Sequence, residues 1–108
     1  MNETPETHLW QLEVGSAGHD VLTERNRHAQ LGWTLEHDDQ HNMGELSQAA
    51  VCYALATPLY LASSYAKVIS KLWPWECSAW KPKSYRENLV RAGSFILAEI
   101  ERLDRREK

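Results

Sequence analysis

Between Gly32 and Leu46 the sequence reads GWTLEHDDQHNMGEL, which places two histidines and four carboxylates within the ten positions from Glu36 to Glu45. Imidazole and carboxylate are ligands for zinc, manganese or iron, and carboxylates with water suit magnesium. Spacings of three and four bring side chains to one face of a helix. His37, Asp38, His41 and Glu45 are therefore the candidate ligands of a divalent metal, Mg, Mn or Zn. An ion held there would neutralise phosphate charge and polarise an attacking water. The plainer alternative is a polar helix start, with Asp38 and Asp39 complementing the helix dipole and the histidines capping or facing solvent.

Two further groups carry chemistry. Trp33, Trp73, Trp75 and Trp80 could stack on a nucleobase, or could anchor the core or a subunit interface. Lys81, Lys83, Arg86 and Arg91 could meet phosphates, or could be a solvated helix start. From these, Trp33, Trp75, Trp80, Lys81 and Arg86 form the candidate ligand-binding set. Glu101 and Asp104 add an ExxD pair of a kind common on exposed helices.

Helices must position these residues. Asp20 is a candidate cap, followed by Val21, Leu22, Arg25, His28 and Leu31 at helical spacing, which predicts a first helix over about 20–31, ended by Gly32. Leu46, Ala49, Ala50, Tyr53 and Ala54 mark one face of a second, alanine-rich helix. Asn42 with Glu45 resembles a capping box that would leave HDDQH in a loop, whereas a cap at Thr34 or Asp38 would align His37, His41 and Glu45 on one face. We place the start between 38 and 42. Thr57-Pro58 breaks the chain, and Leu61, Tyr65, Val68, Ile69 and Leu72 predict a third helix over about 59–72. The stretch WPWECSAWKPK at 73–83 reads as a rigid aromatic loop. Ser84 and Glu87 form a capping box for the longest helix, about 85–105, with Leu89, Ala92, Gly93, Ile96, Ile100 and Leu103 as its expected buried stripe. The expected fold is all-α, a four-helix bundle-like single domain (19–108) with a short N-terminal arm (1–18) and a Trp/Pro-rich loop before the last helix.

Composition narrows the partners. A chain of 108 residues suits one modest core, and a net charge of -3 with mixed signs gives no footprint for duplex nucleic acid. No apolar run approaches the roughly 18–20 residues that span a bilayer, and the start MNETPE lacks the order of a secretory signal, so no membrane partner is expected. Cys52 and Cys77 read as reduced thiols, which fits a cytoplasmic setting. A short chain with five tryptophans is expected to bury some of them against a copy of itself, as a homo-oligomer.

Two resemblances extend this reading. ERNRHAQLGWTLEHDDQHNMGELSQAAVCYA (24–54) and KPKSYRENLVRAGSFILAEIERLDR (81–105) resemble a family of small, mostly uncharacterised bacteriophage and prophage proteins with a GW-x3-HDD-x-H-x2-GEL motif. That resemblance implies a phage-encoded protein acting in the bacterial host cytoplasm. Gly44-Glu45-Leu46 before an alanine-rich helix, with Glu101 and Asp104 later, is similar to the MazG-type all-α nucleoside triphosphate pyrophosphohydrolases. The similarity implies acidic residues gripping magnesium and a triphosphate. Here, though, His41 stands where a partner of Glu45 would be sought, and the interval from Glu45 to Glu101 is longer than in that family.

The expected function is accordingly a phage accessory protein that binds a host protein or a nucleotide without catalysis, as a host-defence inhibitor or sponge. The alternative is a divalent-metal-dependent nucleotide pyrophosphohydrolase of MazG-like fold, with Asp38, His41 and Glu45 on the ion and Lys81 or Arg86 assisting. A third, structural reading makes the acidic stretch a network between helices of a dimer.

Overall fold

The computed structural model describes residues 15–30, 35–58 and 65–106. Over these the protein is all-α: α1 (Gly15–Gln30), α2 (Leu35–Asp39), α3 (Glu45–Leu55), α4 (Tyr65–Leu72) and α5 (Tyr85–Arg106), with a 3-10 turn at Cys77–Ala79. Among the described residues no helix is long and apolar enough to cross a membrane.

The spine is α5. Its first turn is capped as the sequence suggests, with Ser84 Oγ accepting from the Glu87 amide at 3.2 Å and donating to the Glu87 carboxylate at 2.9 Å. Against one flank lies α3, antiparallel to it, since Ala56 and Tyr53 meet Asn88 and Arg91 in reversed order. Against the other lies α1, running the same way as α5, as the pairs Asp20–Arg86, Glu24–Arg91 and His28–Ser94 show. α4 leans on α3, and α2 packs near the C-terminal half of α5.

The core is small and aromatic. Leu46, Ala49, Ala50 and Tyr53 of α3 face Ala92, Phe95 and Ala98 of α5, with Trp73, Trp75 and Trp80 packed over the top. The alanines let the helices approach closely, and each large side chain so buried contributes roughly 1.5–3 kcal/mol. Cys52 is buried beneath α4, where its thiol donates to the Ile69 carbonyl and burial pushes its pKa up to about 11. Cys77 is an exposed thiol.

Several expectations are corrected. Residues 15–18, assigned to the end of the N-terminal arm, are the first turn of α1, which begins at Gly15. Asp20 is thus inside the helix and pairs with Arg86 at 2.8 Å instead of capping. Any Cβ at Gly93 would stand 3.2 Å from the Val21 methyls, so this glycine lets α1 close on α5. The second helix is two pieces: α2 ends at Asp39, and α3 starts after Gly44, whose φ of 87° favours glycine. No side chain caps α3, so Asn42 does not form the expected box; Glu45 instead accepts from the Met43 amide at 2.7 Å.

The third expected helix is described only as α4, 65–72, its earlier residues lying outside the described ones, and of α4 only Ile69 is fully buried. On α5 the buried residues are Asn88, Ala92, Ser94, Phe95, Ala98 and Arg102, so that of the expected stripe Ala92 is buried while the face as a whole is turned by about one residue. Leu89, Ile96, Ile100 and Leu103 are 41–50% exposed.

Candidate functional site

Arg25 on α1 sets the position of the HDD segment. Its Nη2 meets Asp38 Oδ2 at 2.7 Å, in a place where the Asp38 side chain is 1% exposed, and also Glu101 Oε1 at 3.1 Å. Burial raises the Asp38 pKa, against the attraction of Arg25, Arg105 and His37. Two of the carboxylates that the sequence offers to a metal, Asp38 and Glu101, are thereby directed to one guanidinium. Asp39 meets Arg105 at 2.7 Å.

With Asp38 turned inward, the next turn presents the histidines on the other side. The amides of Gln40 and His41 reach the carbonyls of His37 and Asp38, tightening the end of α2. The result brings His37 Nε2 and His41 Nε2 to 3.3 Å, with rings nearly perpendicular at 84°. The His41 ring lies 5.2 Å from that of Trp75. Burial, then the nearby His37, lowers the His41 pKa, while Glu45 and Asp38 pull it the other way. Of the four candidate ligands, then, His37 and His41 converge, whereas Asp38 points to Arg25 and the Glu45 carboxylate is held at the Met43 amide. Among the described residues no group of three or more His, Cys, Asp or Glu side chains is placed to hold a metal ion.

A second feature lies on the other side of Trp75. Tyr53, Trp73, Trp75 and Phe95 wall a cleft of about 210 Å³, with Arg27, Lys81 and Arg91 at its rim and His28 in its lining. The walls are held by ring packing: Tyr53 stacks on Phe95 at 15° between planes, and Trp73 stands edge-on to both Tyr53 and Trp75. Trp73 Nε1 donates to the Glu76 carbonyl at 2.9 Å, which fixes the loop. Arg91 lies 5.6 Å from the centre of the Tyr53 ring and donates to the Lys81 carbonyl, so cation and ring are mutually oriented.

Glu24 organises the charge. It accepts two hydrogen bonds from Arg27, at 2.9 and 2.7 Å, and stands 3.1 Å from His28 Nε2 and 3.8 Å from Arg91 Nε. Burial raises its pKa, but Arg27, His28 and Arg91 together outweigh this and hold the carboxyl below its usual range. One carboxylate thus faces two guanidiniums, and with Lys81 the rim keeps net positive charge. Arg27 and Arg91 also line an adjoining groove with Lys83 and Arg86, where Asp20, Glu24 and Glu87 stand among them and leave the groove of mixed charge.

Ser94, His28 and Glu24 form a hydroxyl–imidazole–carboxylate chain, with Ser94 Oγ 3.3 Å from His28 Nδ1. Ser94 is 0% exposed, so its oxygen has no access to a substrate and the chain ties α1 to α5. Burial lowers the His28 pKa, the arginines at 25, 27 and 91 add to this, and Glu24 opposes it. The imidazole is accordingly neutral at pH 7.

Of the expected ligand-binding residues, Trp75 and Lys81 meet at the cleft and Arg86 lines the adjoining groove, where it pairs with Asp20. Trp80 does not line the cleft. It packs behind Tyr53 and Trp73, at 4.6 and 4.9 Å between ring centroids. Trp33 lies outside the described residues. Sequence reasoning missed Arg27, His28, Tyr53 and Phe95, which come from three different helices. The one available signal was that Glu24, Arg27 and His28 share a helical face by spacings of three and four.

No family model, curated protein or solved structure matches the chain.

Proposed function

We propose that the protein binds a nucleotide-like ligand, an aromatic ring carrying negative charge, as an accessory protein of the phage type that acts by binding and not by turnover. The observation that supports this is the cleft in which Tyr53, Trp73, Trp75 and Phe95 stand beside Arg27, Lys81 and Arg91. Tyr53 and Phe95 are buried and form its floor, whereas the half-buried Trp73 and Trp75 offer faces that stack on any base, and the cations attract phosphate. Its volume of about 210 Å³ is below the roughly 300–1,000 Å³ of drug-sized sites, so it suits a base with the phosphates lying outward by Lys81 and Arg91.

A second reading, metal-dependent hydrolysis of the same ligand, is favoured by the approach of His37 and His41 on the far side of Trp75. Tryptophan fluorescence titration with mono-, di-, tri- and cyclic nucleotides tests the first reading. Saturable quenching with a phosphorylated nucleotide and none with the nucleoside is expected, and no quenching by any of them would overturn it. Release of pyrophosphate or phosphate on incubation with a divalent ion would favour the second.

A further inference from the structure

We infer that His37 and His41 are a two-imidazole site for a transition ion of the zinc class, and that the remaining positions of the ion open onto the cleft walled by Pro74 and Trp75. Two imidazole nitrogens bound to a tetrahedral zinc ion at about 2.0–2.1 Å stand roughly 3.3 Å from each other. His37 Nε2 and His41 Nε2 stand 3.3 Å apart. Their spacing is thus already that of two ligands on one metal.

The side chains need little adjustment. In the ion-free state one Nε2 carries the proton that the other accepts. On binding, that proton moves to Nδ1 of its own ring, and the ion takes its place between the two nitrogens. The imidazole χ2 well is broad, which lets each ring turn its lone pair toward an ion between them. The backbone is fixed by the turn that closes α2 and, behind it, by the buried Arg25–Asp38 pair.

The chemistry of the donors selects the ion. Imidazole suits zinc, nickel, cobalt and copper, whereas magnesium demands oxygen ligands. The oxygen donors nearest in sequence are engaged elsewhere, Asp38 by Arg25 and Glu45 by the Met43 amide. Both histidines line a cleft of about 640 Å³ together with Trp75 and the exposed Glu76. Water or an anionic ligand can fill the positions that the two histidines leave open. This cleft shares Trp75 and Ala79 with the aromatic one. The inference deepens the metal-dependent reading but does not rest on it, because the ion is tested with no nucleotide present.

The test is isothermal titration of the full chain with zinc chloride, nickel chloride and magnesium chloride. One equivalent of zinc and of nickel should bind, and magnesium should not. His37→Asn and His41→Asn should each weaken zinc binding at least tenfold, while His19→Asn on the exposed face of α1 should leave it unchanged. Helical circular dichroism shows whether each variant is folded. As a measurement that needs no variant, the imidazole ring signals of the wild-type protein should shift for two histidines, and not for His28, at one equivalent of zinc. Absence of zinc binding, zinc binding undiminished in both folded variants, or ring signals that stay in place would overturn the inference.

Discussion

Arg25 and Asp38 form an ion pair 2.7 Å long in which the carboxylate is 1% exposed, and this single contact decides which way the HDDQH segment faces. A charge taken out of water is tolerated when its partner is present and becomes costly when the partner is removed. Arg25→Met should therefore destabilise the fold by about 3–5 kcal/mol, measured by urea denaturation, and Arg25→Met with Asp38→Leu should recover much of that. Glu101→Gln, whose side chain is half exposed, should change stability by no more than about 1 kcal/mol. Equal effects of Arg25→Met and Glu101→Gln would show that Asp38 is not the partner that matters.

Stability should also depend on pH through His28. Its folded pKa lies below 6.5, because burial and the nearby Arg25, Arg27 and Arg91 outweigh the attraction of Glu24. The unfolded chain then binds more protons than the folded one in the interval below 6.5. The contribution of neutral His28 is complete above pH 6.5 and is lost as pH falls through its folded value. The urea midpoint should drop between pH 7.5 and pH 5.5, and His28→Asn should show a shallower drop than the wild type. An identical slope in the two proteins would remove His28 from the explanation.

The face that α5 buries illustrates what the sequence could and could not say. Apolar spacing pointed to Leu89, Ala92, Gly93, Ile96, Ile100 and Leu103, and of these Ala92 is buried, yet the face as a whole is turned by one residue, about 100°. The inward face is set by Phe95, which joins the aromatic cluster, and by Asn88. The Asn88 side chain donates to the carbonyls of Ala56 and Lys83 at 2.9 and 3.1 Å and accepts from the Lys83 amide at 2.7 Å. A polar residue satisfied by main-chain groups on two sides outranks a leucine at this position, and no count of apolar residues foresees it. Helix classes, the α5 cap and the buried face of α3 were legible because they rest on local spacing. The break at Gly44 was not, because Asn42 and Glu45 look like a cap whichever way the chain turns there. The cleft was half legible: Trp75 and Lys81 stand close in sequence, but Tyr53, Arg27 and Phe95 reach it only through packing.

That rotation is measurable. Phe95→Ala should cost about 3–5 kcal/mol, and Asn88→Ala about 1–3 kcal/mol by leaving buried main-chain groups unsatisfied. Ile96→Ala, one residue along and 50% exposed, should cost less than about 1 kcal/mol. Thermal and urea melts of the three variants check this. A larger loss at Ile96 than at Phe95 would restore the stripe that apolar spacing suggests.

Trp75 and Trp80 separate binding from packing within one loop. Trp75 stands between the two clefts, lining both, with His41 on one side and Phe95 at 5.7 Å. Trp80 is packed against Tyr53 and Trp73, and the Tyr53 hydroxyl accepts from the Lys81 amide beside it. Trp75→Ala should therefore shift the quenching titration with a phosphorylated nucleotide to higher concentration, since loss of a stacking ring costs about 1–3 kcal/mol, roughly five- to 150-fold in affinity. Trp80→Ala should act mainly on the melting temperature. Arg91→Ala should weaken a nucleoside triphosphate more than the monophosphate, because its guanidinium lies where the cleft opens toward Arg27 and the outer groove. If Trp80→Ala loses the ligand while Trp75→Ala keeps it, the cleft walled by Trp75 is not the binding site.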